Sequence, residues 1–264
     1  MRKFVFIIVA VTLLLTGCGQ QAVNKQQVTA TSLSREISEI RPGILEGYLS
    51  PEEYPNSLEL LAPPPEEGSA AFQLDQAMAA KFVALNDEER RAQATRDDIL
   101  TFPEAADAFN IILDVKVSEE TTPHLYMILR RTLADAGLST YAAKDHYQRE
   151  RPFVVNNTAT CISDEETDHL REDGSYPSGH TAVGWAWALI LTEVFPEQSD
   201  EIIERGKQFG ISRLVCNVHW YSDVVAGRMM GAAAVAKLHS NENFMADLEA
   251  SKKEVKSLVT SPSI

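Results

Sequence analysis

Apolar positions along this chain recur three and four residues apart, the spacing of one buried helix face. Ala70–Ala94 is Ala-rich, with charges at helical spacing. Phe102–Leu113, Pro123–Ala136 and Tyr141–Gln148 repeat apolar residues in the same rhythm. Helices are predicted again over His180–Val194, Ser199–Cys216 and Asp223–His239, with Pro196 stopping the first and Gly210 interrupting the second. Asn241–Val259 reads as an acidic-then-basic helix fraying into a Ser/Pro tail, set at 251–264. No alternation of apolar and polar residues runs long enough for a useful strand, and neither an internal repeat nor a Gly-rich nucleotide loop is present. The predicted class is all-α, a single compact multi-helix bundle over 70–250.

Upstream the rhythm is lost. Residues 18–40 are rich in Gln, Thr, Ser, Val and Ala and read as a flexible tether. Residues 41–69 carry Pro42, Pro51, Pro55 and Pro63-Pro64-Pro65, which predict an extended arm rather than a helix. Leu58, Leu60, Leu61 and Ala62 could dock that arm on the body. The chain opens Met1-Arg2-Lys3, then runs apolar from Phe4 to Leu15, a secretory signal over 1–17 and too short for a comfortable membrane span. Leu15-Thr16-Gly17-Cys18 resembles the bacterial lipobox. That resemblance implies cleavage before Cys18 and its lipidation, giving an exported, periplasm-facing envelope protein that touches the membrane through a lipid anchor only. Gly19 after the cysteine favours the outer membrane in a Gram-negative host. With Cys18 lipidated, Cys161 and Cys216 remain as a pair in an oxidising compartment and are expected to form a disulfide.

Net charge narrows the function. At −14, the chain lacks the basic face that nucleic acid requires. Against that background, three short runs concentrate positive charge and imidazole: Lys144–Pro152 (KDHYQRERP), Gly174–Thr181 (GSYPSGHT) and Ser212–Asp223 (SRLVCNVHWYSD). Phosphoryl transfer spreads negative charge over equatorial oxygens, so its catalysis is mostly positioning plus positive charge. Lys144 and Arg151 are seven apart, two helical turns, with Pro152 expected to end that helix. Ser178 suits a helix N-cap, Gly179 allows close backbone approach, and His180 would stand beside an anion at that helix start. Asp223 lies four after His219 and could fix its tautomer. Taken alone, each run also fits a structural role: a solvated charged helix, a capped helix start, a capping Asp beside a core His.

Together, KxxxxxxRP, PSGH and SRxxxxxHxxxD resemble the signature of the type-2 phosphatidic acid phosphatase superfamily, which includes vanadium-dependent haloperoxidases. The longer GSYPSGHT, the Asp223–Arg228 stretch and the Gly47–Pro65 arm resemble bacterial class A nonspecific acid phosphatases. The resemblance implies that His219 attacks phosphorus and forms a phosphohistidine while Asp223 orients it. It casts His180 as general acid, and Lys144, Arg151, Ser178, Gly179 and Arg213 as the phosphate cradle. It implies hydrolysis of small-molecule phosphomonoesters, phosphotransfer as a side activity, no required cofactor, phosphate or vanadate as site ligands, and a homodimer. No Cys/His or carboxylate cluster shows metal spacing. His124, His146, His169 and His239 lie outside the motifs and read as structural or surface. With unperturbed imidazoles near ~6.5, activity is expected on the acid side of neutral. Two alternatives stay open: a vanadium haloperoxidase with His219 as axial ligand, and a non-catalytic phosphate-binding envelope lipoprotein. A multi-span lipid phosphatase is excluded, since no run beyond the signal approaches ~20 apolar residues.

Overall fold

The computed structural model describes residues 30–260. The predicted signal peptide, Cys18, the tether as far as residue 29 and the tail from residue 261 lie outside the described residues. The elements in chain order are β1 (Glu39–Arg41), β2 (Ile44–Leu45), α1 (Ser57–Leu60), α2 (Ala70–Val83), α3 (Glu88–Arg96), α4 (Asp107–Asn110), α5 (Pro123–Leu138), α6 (Tyr141–Tyr147), α7 (Pro152–Val155), α8 (Asp164–Glu172), α9 (Gly179–Val194), α10 (Ser199–Val215), α11 (Tyr221–Leu238) and α12 (Glu242–Thr260). The all-α prediction describes this body. Its strands are one two-stranded antiparallel hairpin in the arm, Glu39 opposite Leu45.

Helix α9 is apolar nearly all round, as a helix at the centre of a bundle must be. Val183, Ala186, Trp187, Ile190 and Leu191 are buried along it, and α5, α10, α11 and α12 pack around it. Close approach is made possible by missing side chains: Gly184 receives the Phe209 ring, and a Cβ at Gly210 would stand 2.8 Å from Thr181 Cγ2. Gly210 therefore does not interrupt α10, which runs through it without a break. Its smallness serves helix packing, not helix termination.

Several boundaries differ from the sequence reading, each for a local reason. The Ala70–Ala94 helix divides at residues 84–87, where Asp87 caps α3 by accepting from Arg90 N at 2.9 Å. Over 102–113 only a 3₁₀ turn and the single turn of α4 form. There Asn110 bonds both the N–H and the carbonyl of Val117 and turns the chain back. Residues 251–260 are helical rather than frayed, because α12 buries Phe244, Leu248, Ser251 and Val255 on one face. The tether reading fails from Ser32 onward. Ser32 is buried, and its N–H donates to Asp247 of α12 at 2.7 Å. Tyr48 Oη donates to the same carboxylate at 2.6 Å, and Arg131 of α5 reaches Ser32 Oγ at 2.8 Å and the Glu46 carbonyl at 3.1 Å. Asp135 accepts from the backbone of Tyr48 and Leu49. Two buried carboxylates and one arginine thus clamp the arm. Leu61 is buried there, whereas Leu58 and Leu60 are exposed.

Cys161 and Cys216 are disulfide-bonded, joining the loop before α8 to the end of α10 across 55 residues of chain. Closing a loop of that length removes denatured-state entropy equivalent to about 4 kcal/mol. Replacing both cysteines by serine should lower the melting temperature by on the order of 10 °C. Thermal denaturation with and without reductant checks this: reductant should bring the parent protein down to the variant and leave the variant unmoved.

Candidate active site

The three runs meet at one cavity of about 260 Å³, whose walls include Lys144, Arg151, Gly179, His180 and His219. Helix α6 carries Lys144 and ends at Tyr147, where Gln148 adopts a left-handed conformation (φ 44°). Lys144 and Arg151 therefore do not share one helix. Pro152 opens α7 at its first position instead of ending α6, with Arg151 as the N-cap residue. The two cations converge nonetheless. Lys144 Nζ and Arg151 Nη2 lie 3.1 and 2.8 Å from Asp173 Oδ2, and Arg151 Nε donates to the Asp173 carbonyl at 3.0 Å. Burial, followed by the nearby Arg151 charge, pushes the Lys144 ammonium down to about 8. It remains charged in acid.

His219 lies just before α11. Asp223 Oδ2 accepts from Trp220 N at 2.8 Å and faces His219 Nδ1 at 3.3 Å, so one oxygen both caps the helix and orients the imidazole. Arg151 Nη1 lies 3.1 Å from His219 Nε2. A guanidinium only donates, so Nε2 is the acceptor and the ring proton belongs on Nδ1, toward Asp223. The lone pair on Nε2 thus faces the cations. Burial first, then Arg151, Lys144 and Arg213, hold His219 well below the usual imidazole range. It stays neutral and nucleophilic.

On the other side, His180 Nε2 lies 3.0 Å from the Asp98 carbonyl, an acceptor only, so Nε2 carries a proton and Nδ1 is where a second one binds. Burial and then the Arg213 charge push His180 down to about 3. The unperturbed imidazole assumed from sequence is therefore not what the fold provides. Arg213 is fully buried and donates to Asp98 Oδ1 at 2.6 Å, while its Nε and Nη2 have no partner among the described residues. Ser212 stands one residue before Arg213. Its hydroxyl donates to Asp97 at 2.5 Å and fixes the loop that presents Asp98.

Ser178, Arg213 and Asp223 stand behind the cavity wall. Ser178 Oγ accepts from Thr181 N at 3.3 Å and from the Thr181 hydroxyl at 2.9 Å, so it caps α9 while its own proton stays available. Two residues were misjudged from sequence. His169, filed as structural or surface, lines the cavity beside Glu166 and Asp173. Arg149 lies in the run that alone also fits a solvated charged helix, yet its side chain is largely enclosed between Asp223 Oδ1 at 2.6 Å and Asp75 Oδ2 at 2.7 Å. The partners of Arg149 lie over seventy residues away, and local spacing carries no sign of them. Burial raises the Asp223 carboxyl to about 6 against the pull of Arg149. No group of three or more His, Cys, Asp or Glu side chains is placed to hold a metal ion among the described residues.

Residues 125–243 match the PAP2 superfamily. A non-specific acid phosphatase of Providencia stuartii is 44% identical over 208 residues, covering 78% of this chain and 84% of its own. A non-specific acid phosphatase of Salmonella typhimurium is 38% identical, covering 79% and 83%. An acid phosphatase of Zymomonas mobilis is 36% identical over 76% of each. The crystal structure of a bacterial vanadium-dependent iodoperoxidase superposes with a TM-score of 0.51 at 18% identity, over 68% of this chain and 52% of that one. That likeness concerns the fold.

Removing the Arg149 charge leaves two buried carboxylates facing each other's field. Arg149→Gln should cost about 3–5 kcal/mol in urea denaturation. A loss under about 1 kcal/mol would show that Arg149 does not hold Asp75 and Asp223 together.

Proposed function

Because the chain belongs to the PAP2 superfamily, and within it to the class A acid phosphatases, we propose that it hydrolyses phosphate monoesters by passing the phosphoryl group through His219. The observation that carries this reading is the tautomer of His219: Nδ1–H toward Asp223, and Nε2 with its lone pair among the cations. Nε2 attacks phosphorus and the ester oxygen departs with the bonding pair. Arg151 shifts its Nη1 hydrogen bond from Nε2 to a phosphate oxygen as the N–P bond forms. Lys144 and the first amides of α9 take the other oxygens, where charge grows in the transition state, and Arg213 adds its positive charge from behind the wall. Asp223 stabilises the positive imidazole of the phosphohistidine.

The proton on the leaving oxygen comes from His180. With its basicity depressed to about 3, His180 is neutral in the free enzyme at pH 5–6. The substrate brings the proton itself. A phosphomonoester is a monoanion below its second pKa of about 6, and the anion that enters also offsets the Arg213 charge. His180 Nδ1 takes the proton and passes it to the leaving group. Water then attacks the phosphohistidine with His180 as base, releasing phosphate and restoring His219. An alcohol in place of water gives phosphotransfer. Three buried cations supply the charge a metal ion would otherwise bring, so EDTA should leave the rate unchanged and vanadate should inhibit. The lipid anchor, the envelope location and the homodimer belong to the same proposal and rest on the sequence resemblance alone.

His219→Ala should abolish turnover while circular dichroism shows a retained fold. His180→Ala should cost about 10²–10⁴-fold on alkyl phosphates and much less on aryl phosphates, whose leaving groups need no proton. A uniform loss would remove His180 from the acid role. The pH profile of kcat/KM should peak near pH 6. Below it Asp223, raised to about 6, takes up a proton and loses its hold on His219. Above it the substrate dianion no longer carries a proton to an imidazole that lacks one. A rate still climbing above pH 8 contradicts this assignment.

A further inference from the structure

The cavity has a second chemistry beside the charged one. Past His180, its wall turns apolar: Leu100, Leu133, Ala134, Leu138 and Val183 line it, with Ile44 from the arm hairpin. Val183 lies three residues after His180, on the same face of α9. The apolar wall therefore begins one turn beyond the group that protonates the leaving oxygen. Across from it, α5 presents Leu133, Ala134, Gly137 and Leu138, four positions of one helix face, and the two smallest leave the room. A Cβ at Gly137 would stand 3.6 Å from Val183 Cγ2, an ordinary contact. The hairpin that closes this lobe is held by the Arg131 bonds to the Glu46 and Gly47 carbonyls. Arg41, Tyr141, Glu166 and His169 line the same cavity, as does Asp173, which is paired with Lys144 and Arg151.

We propose that this lobe is the leaving-group site and that it selects phosphomonoesters of apolar aryl or alkyl alcohols over those of polyols. The proposal rests on the phosphatase reading and deepens it. The ester oxygen sits at His180, its carbon skeleton lies along Val183 and the α5 face, and the phosphoryl group stays with the cations. Gly137 and Ala134 set the width of the lobe, and the β1–β2 hairpin sets its depth.

A homologous series of n-alkyl phosphates tests this, because leaving-group basicity barely changes along it. From ethyl to hexyl phosphate, kcat/KM should rise about fourfold per methylene, the gain expected for burying each CH₂. Glycerol phosphate should fall below propyl phosphate. Gly137→Leu fills the lobe and should lower the hexyl-to-ethyl ratio of kcat/KM at least tenfold. Gly137→Ala, which only extends an ordinary contact, should lower it by a smaller factor and covers the case in which the leucine variant fails to fold. A flat series in the parent enzyme overturns the proposal, as does a ratio unaltered in both variants. If His219→Ala makes no difference to turnover, the phosphatase reading itself has failed. A flat series in an enzyme that does depend on His219 sinks only the lobe.

Discussion

One buried carboxylate organises this site. Asp223 caps α11 through Trp220 N–H, faces His219 Nδ1 with the same oxygen, and takes Arg149 on the other. Each bond fixes something different: where the helix starts, which imidazole nitrogen is free, and how the α6–α7 connection lies against α11. Arg149 continues to Asp75, whose oxygens also accept from Ser222 N–H and hydroxyl, so α2 is tied into the same knot. An isolated buried carboxylate would take up a proton rather than pay the cost of desolvation. Surrounded by Arg149 and two donors, Asp223 remains an acceptor near neutrality. The tautomer of His219 is thus a consequence of how a helix is capped.

A similar arrangement recurs at His180. Asp97 holds Ser212 and Arg205, and the next residue, Asp98, offers its carbonyl to His180 and its carboxylate to Arg213. The loop after α3 therefore couples His180 to the Arg213 guanidinium. Burial and neighbouring positive charges lower the basicity of both imidazoles, which on the proposed mechanism suits a nucleophile and has the acid receive its proton with an anion.

Sequence spacing was informative where an element is defined by its own residues. The helical rhythm located α5, α9, α10 and α11 closely, and Ser178 as a helix N-cap was legible from the run PSGHT. The charged runs pointed to a common site because phosphate chemistry needs those side chains. Spacing misled where the chain's direction is set from outside. Lys144 and Arg151 meet through Asp173 and not along a helix, and Gly210 is small to admit Thr181 rather than to break α10. Arg149, Asp98, Asp173 and His169 were invisible, because their partners or walls come from other elements. The segment around Ser32 looked like a tether because its clamp, Asp247 and Arg131, lies about a hundred residues or more downstream.

Whether phosphorus becomes bonded to His219 is open to direct observation. Enzyme mixed with a ³²P-labelled phosphomonoester and quenched within milliseconds should carry up to one label per chain, base-stable and acid-labile, on the peptide containing His219. Label should form at the rate of alcohol release and vanish at the rate of phosphate release. Product formed at full rate with no label on that peptide, or with label on another residue, would contradict catalysis through His219.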